Sequence, residues 1–416
     1  MTTNKISSKF HLFFTSLLTF LLASGSGFSQ QTLETTNQTL RYSRYSRLSP
    51  KIIPVKISER TFLLQMPVEK LEDNPVFDDY EFYFTILSSY NQAFQNENLT
   101  RLQENDLKKN TANHFYFEQR IQIPEEQEEA IALIKIVDTR QGDEYYYHMD
   151  LVGPFILGHP NFGAYYGNDV PFDQSFLIQE EALLFKSNSA VSLNRFFYPT
   201  EFASPFPPME TKPAPAPREV EVVNQGDFLV NTPRTFDEKG YYFIQSDTNS
   251  TEGLLIKTVS QAFPRVETWE DMVDMVVYIS TRREHEALME ASDKKKALDQ
   301  YWIGLTKDEE AAKTLIREYF RQIEFANILF TDFKEGWKTD RGMVYTVMGP
   351  PTGVTFRQNA EIWTYGDLNS NSKINFTFAR VKNILTPNYY ILNRSRALQP
   401  EWFKSITLWR SGRMDF

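Results

Sequence analysis

The chain has no cysteine among its 416 residues. A disulfide, a thiolate nucleophile and a cysteine-ligated metal are therefore excluded. So is a lipid anchor attached through a cysteine after a leader peptide. Histidine is scarce: His11, His114, His148, His159 and His285 are the whole set. None of the last four is spaced with another as a zinc pair, and His285-Glu286-Ala287-Leu288-Met289 lacks the second histidine of a His-Glu-x-x-His helix. Positive charge is also short, with 44 Lys and Arg against 54 Asp and Glu for a net −10. That balance opposes nucleic acid as a partner, which needs a basic footprint, and adsorption to anionic lipid heads. No apolar run after residue 30 is long enough for a transmembrane helix. There is no Gly-x-Ser-x-Gly elbow, P-loop or dinucleotide fingerprint. Asp150, Asp227 and Asp247 read as turn residues outside any repeated calcium loop. Neither a metal nor a cofactor is expected.

What is present begins with an export signature at residues 1–29. Lys5 and Lys9 precede the apolar stretch Leu12–Ala23, and Gly27 and Ser29 supply small residues before a cut ahead of Gln30. The apolar stretch falls short of the roughly 20 residues that a membrane-spanning helix needs. Losing the two lysines changes the balance to 42 basic against 54 acidic residues, a net −12. An exported protein of the periplasm or the outer-membrane periphery, with surface exposure open, is the expectation. The remaining length implies roughly two or three domains.

Residues 30–50 are rich in Gln, Thr, Asn and Ser and read as a flexible leader. Residues 51–152 hold short aromatic and β-branched runs. These are Phe62-Leu63-Leu64, Tyr80–Phe84, His114–Phe117, Ala130–Val137 and, after the turn Arg140–Asp143, Glu144–Met149. Such runs between polar turns predict an immunoglobulin-like antiparallel β-sandwich. A second β-rich domain, also immunoglobulin-like, is expected over 153–264. Its strands are predicted at Ser175–Gln179, Ala182–Phe185, Ala190–Phe196, Val220–Val223, Tyr241–Gln245 and Leu254–Val259. The stretch 205–217 carries prolines at 205, 207, 208, 213, 215 and 217 and cannot be a central strand. It reads as a stiff loop or as a polyproline ligand for a partner groove. The aromatic runs Tyr145-Tyr146-Tyr147 and Tyr389-Tyr390 read first as core, with a sugar-stacking platform as the alternative.

Residues 265–416 turn helical and then mixed, giving a mainly β chain with a C-terminal α+β part. Thr268–Asp271 and Thr306–Glu309 fit capping boxes. Leu315, Tyr319, Ile323, Ala326 and Phe330 form one helical stripe. Gly336-Trp337-Lys338-Thr339-Asp340 follows. Its glycine suits the chain just after a helix, its tryptophan is an apolar anchor, and Thr339 or Asp340 can cap a short helix ended by Gly349 and Pro350-Pro351. The β-branched content of Met343–Met348 supports a strand as the rival. Asp340 invites a partner in Arg341 or Arg321.

This pentapeptide is the signature of the GWxTD-domain family, and the chain resembles that family over roughly residues 265–416. The flanking blocks that share the resemblance are Tyr278–Thr281 with Glu284, Asp299–Trp302, Tyr319–Asn327, Met348–Pro351 and Glu361–Tyr365. The resemblance implies a protein of Bacteroidota and related bacteria, located in the cell envelope, with β-sandwich domains ahead of the motif and no established activity. The motif and binding positions it singles out are Gly336, Trp337, Thr339, Asp340, Arg341, Gly349, Pro350, Trp363 and Tyr365. A capped segment, Gly-x-Pro and a Trp-x-Tyr strand in that order also resemble, in arrangement only, a small lipoprotein subunit of the outer-membrane protein assembly machinery.

The resulting expectation is a non-enzymatic interaction or scaffold protein, in its sharper form an accessory subunit of an outer-membrane assembly or transport complex held by protein partners. The alternatives are a hydrolase of an envelope polymer, with Asp340, Arg341 and Glu361 as its polar site, and a glycan-binding module.

Overall fold

The computed structural model describes residues 30–72, 75–211, 220–370 and 372–414. The signature at 1–29 and the prolines at 213, 215 and 217 lie outside the described residues. The chain divides into Met1–Gln30 and Gln31–Phe416.

Nine strands come first: β1 (Leu48–Pro50), β2 (Ile53–Ser58), β3 (Thr61–Lys70), β4 (Tyr80–Leu87), β5 (Thr100–Leu102), β6 (Leu107–Asn110), β7 (His114–Gln122), β8 (Ala130–Asp138) and β9 (Glu144–Val152). They form two antiparallel sheets, β1-β3-β7-β6 with β2 also on β3, and β5-β4-β8-β9. Alternate residues of each strand meet between the sheets. Phe82 of β4 lies 5.5 Å from Phe115 and 5.2 Å from Phe117 of β7.

The run Ala130–Val137 is apolar at nearly every position because β8 is covered on both sides. Ala132, Ile134 and Ile136 face the sandwich core. Ile131 and Leu133 belong to a second core, shared with the C-terminal part. The same division explains the three tyrosines of β9. Tyr145 and Tyr147 fill the first core and Tyr146 the second. All three are buried, as the core reading expects.

The next region contains β10 (Phe162–Tyr165), β11 (Phe176–Ile178), β12 (Ala182–Ser187), β13 (Ser192–Tyr198), β14 (Asn224–Leu229), β15 (Pro233–Thr235), β16 (Gly240–Gln245) and β17 (Leu254–Val259). Sheets β10-β12-β15 and β11-β17-β16-β13-β14 enclose Phe185, Leu193, Phe197, Phe236, Tyr242 and Ile256. β11 joins β17 in parallel. The strand expected at Val220–Val223 is displaced: regular pairing begins at Asn224 opposite Phe197, where β13 is about to end and has little left to offer earlier residues.

The C-terminal part contains α1 (Trp269–Met275), α2 (Arg282–Glu290), α3 (Lys294–Thr306), α4 (Glu309–Phe330), α5 (Asp340–Met348), the strands β18 (Gly353–Arg357), β19 (Ala360–Tyr365), β20 (Ile374–Arg380) and β21 (Tyr390–Leu392), and α6 (Gln399–Arg410). Thr268 caps α1 by accepting the Asp271 N–H at 3.1 Å. The cap of α4 is Asp308, which accepts the Ala311 N–H at 2.7 Å. Thr306, expected to open α4, instead ends α3, and Lys307 turns the chain between them at φ 59°. The expected stripe of α4 is buried from Leu315 to Phe330. Met343–Met348 is helical, which settles the helix-or-strand alternative.

Residues 31–50, expected to be a flexible leader, pack against this part. Leu33 and Tyr42 are buried in its core. Gln38 N–H donates to Val354 O at 2.8 Å, Phe356 N–H to Leu33 O at 3.2 Å, and Tyr345 Oη to Tyr42 O at 3.0 Å. The physical reason is an edge: β18 is the last strand of its sheet, and the segment satisfies backbone groups there.

Candidate functional site

The Gly-Trp-x-Thr-Asp corner sits where α4 ends and α5 begins. Gly336 lies against the backbone of α4, where an added Cβ would stand 1.9 Å from Ala326 O. Its φ is not in the left-handed region. Close approach, rather than the expected backbone freedom, is what requires glycine here. The Gly336 N–H donates to Thr331 Oγ1 at 2.9 Å, and the Trp337 N–H to Asn327 Oδ1 at 3.2 Å, so the end of α4 holds the motif's backbone. Trp337 is buried, and its carbonyl accepts from Tyr278 Oη at 2.7 Å. Thr339 is the cap of α5: its Oγ1 accepts the Gly342 N–H at 3.0 Å and donates to Gly336 O at 2.7 Å. Gly349 ends the helix at φ 77°, and its carbonyl accepts from Tyr365 Oη at 2.8 Å. Pro350 follows as a partly buried stop.

Asp340 and Arg341 point to different partners. Asp340 accepts the Leu392 N–H at 2.8 Å and forms a two-pronged pair with Arg394 at 2.5 and 3.1 Å. The partners expected from sequence, Arg341 and Arg321, are not the ones found. Arg321 is exposed and lies over Phe325. Arg341 reaches Glu361 at 3.1 Å and Asn388 O at 3.1 Å, and stacks on Tyr390 at 4.6 Å. Glu361 is fully buried, and its second oxygen accepts the Trp363 Nε1–H at 2.6 Å. Burial works against the Arg341 charge, but Glu361 outweighs it and holds the guanidinium above its usual value. Trp363 in turn meets Tyr42 at 5.2 Å and Phe330 at 5.4 Å. The three residues of the expected hydrolytic site are therefore split between two ion pairs, with every carboxylate oxygen engaged. The arrangement clamps α5 to β19 and β21.

A second set of charges flanks the motif. Glu335 pairs with Lys257 of β17 at 3.5 Å and with Lys338 at 3.1 Å. Burial raises its carboxyl, but the two lysines prevail and bring it down to about 2. Asp332 has no such pair among the described residues, and burial pushes it up to about 6 even though it accepts the Lys334 N–H at 2.8 Å.

The first half of the proline-rich stretch lies on this corner. Phe202 meets Phe333 at 5.0 Å, Arg394 Nη2 donates to Phe206 O at 3.0 Å, and Ser395 N–H to Pro208 O at 2.9 Å. Tyr389 packs on Phe333 at 5.4 Å and Tyr390 is buried, so this tyrosine pair is not an open platform.

Sequence reasoning missed Arg394, and with it the whole Asp340 clamp. It also missed a buried junction with the first sandwich. Arg380 of β20 pairs with Asp150 of β9 at 2.5 Å, and Tyr90 Oη donates to the same carboxylate at 2.7 Å. Asp150, read as a turn residue, is a strand residue facing the other part. His148 stands beside it, 4.6 Å from Phe356, and burial holds its imidazole well below the usual value. No local pattern marks such partners, which are 230 residues apart in the case of Asp150 and Arg380. Among the described residues, no three acidic or histidine side chains are grouped to hold a metal ion, and no helix is long and apolar enough to cross a membrane.

No curated protein matches the chain. The model of the GWxTD domain matches residues 240–411. That span begins earlier than the resemblance read from sequence and takes in β16 and β17, the latter carrying the Lys257 that pairs with Glu335. With the corner's glycine, tryptophan, threonine and aspartate each accounted for and this span matched, residues 240–411 form a GWxTD domain.

Proposed function

We propose that the protein is a cell-envelope interaction scaffold, exported to the periplasm or the periphery of the outer membrane, that holds protein partners instead of transforming a substrate. The observation that carries the proposal is the fate of the signature's polar groups. Asp340 and Arg341 spend their charges on Arg394, Glu361 and backbone groups of neighbouring strands. A catalytic acid or base needs a face toward substrate, and Glu361 has none. The same groups fix the relative positions of α4, α5 and the β18–β21 sheet. Shared burial of Ile131, Leu133 and Tyr146 with Trp363 and Phe378 fixes the sheet to the first sandwich. A rigid support of this kind suits a subunit that presents surfaces to others.

The test is a tagged pull-down from gently solubilised native membranes, with mass spectrometry of the co-purifying proteins. A stoichiometric outer-membrane barrel or assembly subunit is the expected result. Recovery of the protein alone from the soluble fraction would overturn the accessory-subunit form of the proposal.

A further inference from the structure

We infer that the surface formed by Phe333, Lys334, Tyr389, Arg394 and Ser395 is a recognition site for extended aromatic–proline segments, filled in this chain by its own residues 202–208. The contacts are those of peptide recognition and not of a sheet or helix. Residues 199–207 have no regular secondary structure. Two of the segment's carbonyls are read by donors on the surface, Phe206 O by Arg394 and Pro208 O by the Ser395 N–H. One aromatic ring anchors it: Phe202 packs edge-on to Phe333. The Lys334 ammonium lies 5.3 Å from the Phe202 ring, 5.5 Å from Phe333 and 5.8 Å from Tyr389, an ammonium among three π faces. Pro205 and Pro208 within the segment are buried. Prolines hold such a chain extended in advance, so docking loses little conformational entropy.

The receiving surface is assembled without the segment. Arg394 is fixed by both oxygens of Asp340, which is itself held by the Leu392 N–H. The turn at Asp332 positions Lys334. Removing residues 202–208 would leave these supports in place. The resident segment also leaves a donor unmet: Arg394 Nε is buried with no hydrogen-bond partner among the described residues. A segment in trans with an acceptor at that point gains a bond that the resident lacks. The partner class is therefore a protein displaying an extended Phe-x-x-Pro-type stretch. In cis, the covalent link gives the resident a high effective concentration and keeps the site closed. This inference deepens the scaffold reading and depends on it for biological use, but its test measures the surface alone.

The experiment uses a fluorescent peptide with the sequence of residues 199–211 and the full chain in two forms, wild type and a variant carrying Phe202→Ala, Pro205→Ser and Pro208→Ser. The variant is expected to bind the peptide at least about tenfold more tightly than wild type, because the cis competitor is weakened. Adding Tyr389→Ala to it should abolish the gain. A variant that keeps the wild-type circular dichroism spectrum and melting temperature yet binds no better than wild type up to about 1 mM peptide, the effective concentration of a short tether, would overturn the inference. Where the triple variant does not fold, Phe202→Ala alone carries the same comparison. Size-exclusion chromatography with light scattering is run alongside. A dimer in wild type that disappears in the variant would assign the site to exchange between two copies and overturn the separate-partner form. A failed peptide measurement with a successful pull-down would leave the scaffold reading standing without this site.

Discussion

Gly342 stands over the carbonyl of Gly336 so closely that a Cβ added to it would lie 1.8 Å from that oxygen. The same carbonyl accepts the Thr339 hydroxyl, so the first turn of α5 is folded onto the motif's opening residue. Neither glycine has a left-handed φ. Gly336→Ala and Gly342→Ala are each expected to lower unfolding free energy by about 3 kcal/mol, the upper part of the range for overpacking, because the neighbours in the way are backbone and cannot rotate aside. Urea unfolding followed by tryptophan fluorescence measures this. Gly304→Ala, where nothing lies within 4 Å of the new methyl, is the control and should be neutral or slightly stabilising. An unchanged midpoint for both motif variants would refute the close-approach account.

The Arg341–Glu361 pair makes a prediction that separates architecture from catalysis. Glu361→Leu strands a buried guanidinium and removes the acceptor of the Trp363 indole, so a loss of about 3–5 kcal/mol is expected. Arg341→Met added to it should return part of that loss, since an apolar pair needs no desolvated charge. A double-mutant cycle in urea gives the coupling directly. A catalytic Glu361 would behave otherwise: Glu361→Gln would remain fully stable and lose turnover on an envelope polymer.

Two carboxyls beside the motif give pH dependences of opposite sign. Glu335 is depressed from 4.5 to about 2. Its contribution is complete above pH 4.5 and lost as pH falls through 2, an effect of at most about 3 kcal/mol. Asp332 is raised from 3.8 to about 6. Its contribution is complete below pH 3.8 and lost as pH rises through 6. Asp332→Asn should therefore be more stable than wild type at pH 8, by about 2–3 kcal/mol, and equal to it at pH 3.5. Glu335→Gln should be less stable at pH 7 and converge on wild type near pH 2. Urea titrations across pH 2–8 decide both, and a parallel shift of the two variants would contradict the assignments.

The sequence was most informative where a pattern is local. The stripe of α4, the cap at Thr268, the end of α5 at Gly349 and the core role of Tyr145 and Tyr147 follow from spacing and residue type alone. It was silent where the partner is remote. Arg341 and Arg321 are the partners that the sequence offers Asp340, whereas the fork that reaches both of its oxygens comes from Arg394. The segment 31–50 misled for a different reason. Its composition is that of a disordered tract, but the apolar side chains that matter in it are few, Leu33 and Tyr42 foremost, and a sheet edge was waiting for its backbone. The alternation of β8 was invisible because both of its faces are buried, so the period of two vanished from the letters.

That dependence on distant segments bears on the matched domain itself. Residues 240–411 do not contain Leu33, Tyr42, Ile131, Leu133 or Tyr146, all of which lie in the core that the domain uses. Tyr42 touches both Phe330 at 5.1 Å and Trp363 at 5.2 Å. In the full chain, Tyr42→Ala is expected to lower stability by about 3–5 kcal/mol, as for other large buried side chains cut to alanine, and to change the emission of Trp363. A fragment of residues 240–411 expressed alone should bind a dye for exposed apolar surface and unfold without a cooperative transition. A fragment that unfolds cooperatively with native tryptophan emission would mean that residues 31–50 and the outer face of β8 cover a core already complete without them. The segment would then be an addition to the domain instead of one of its parts.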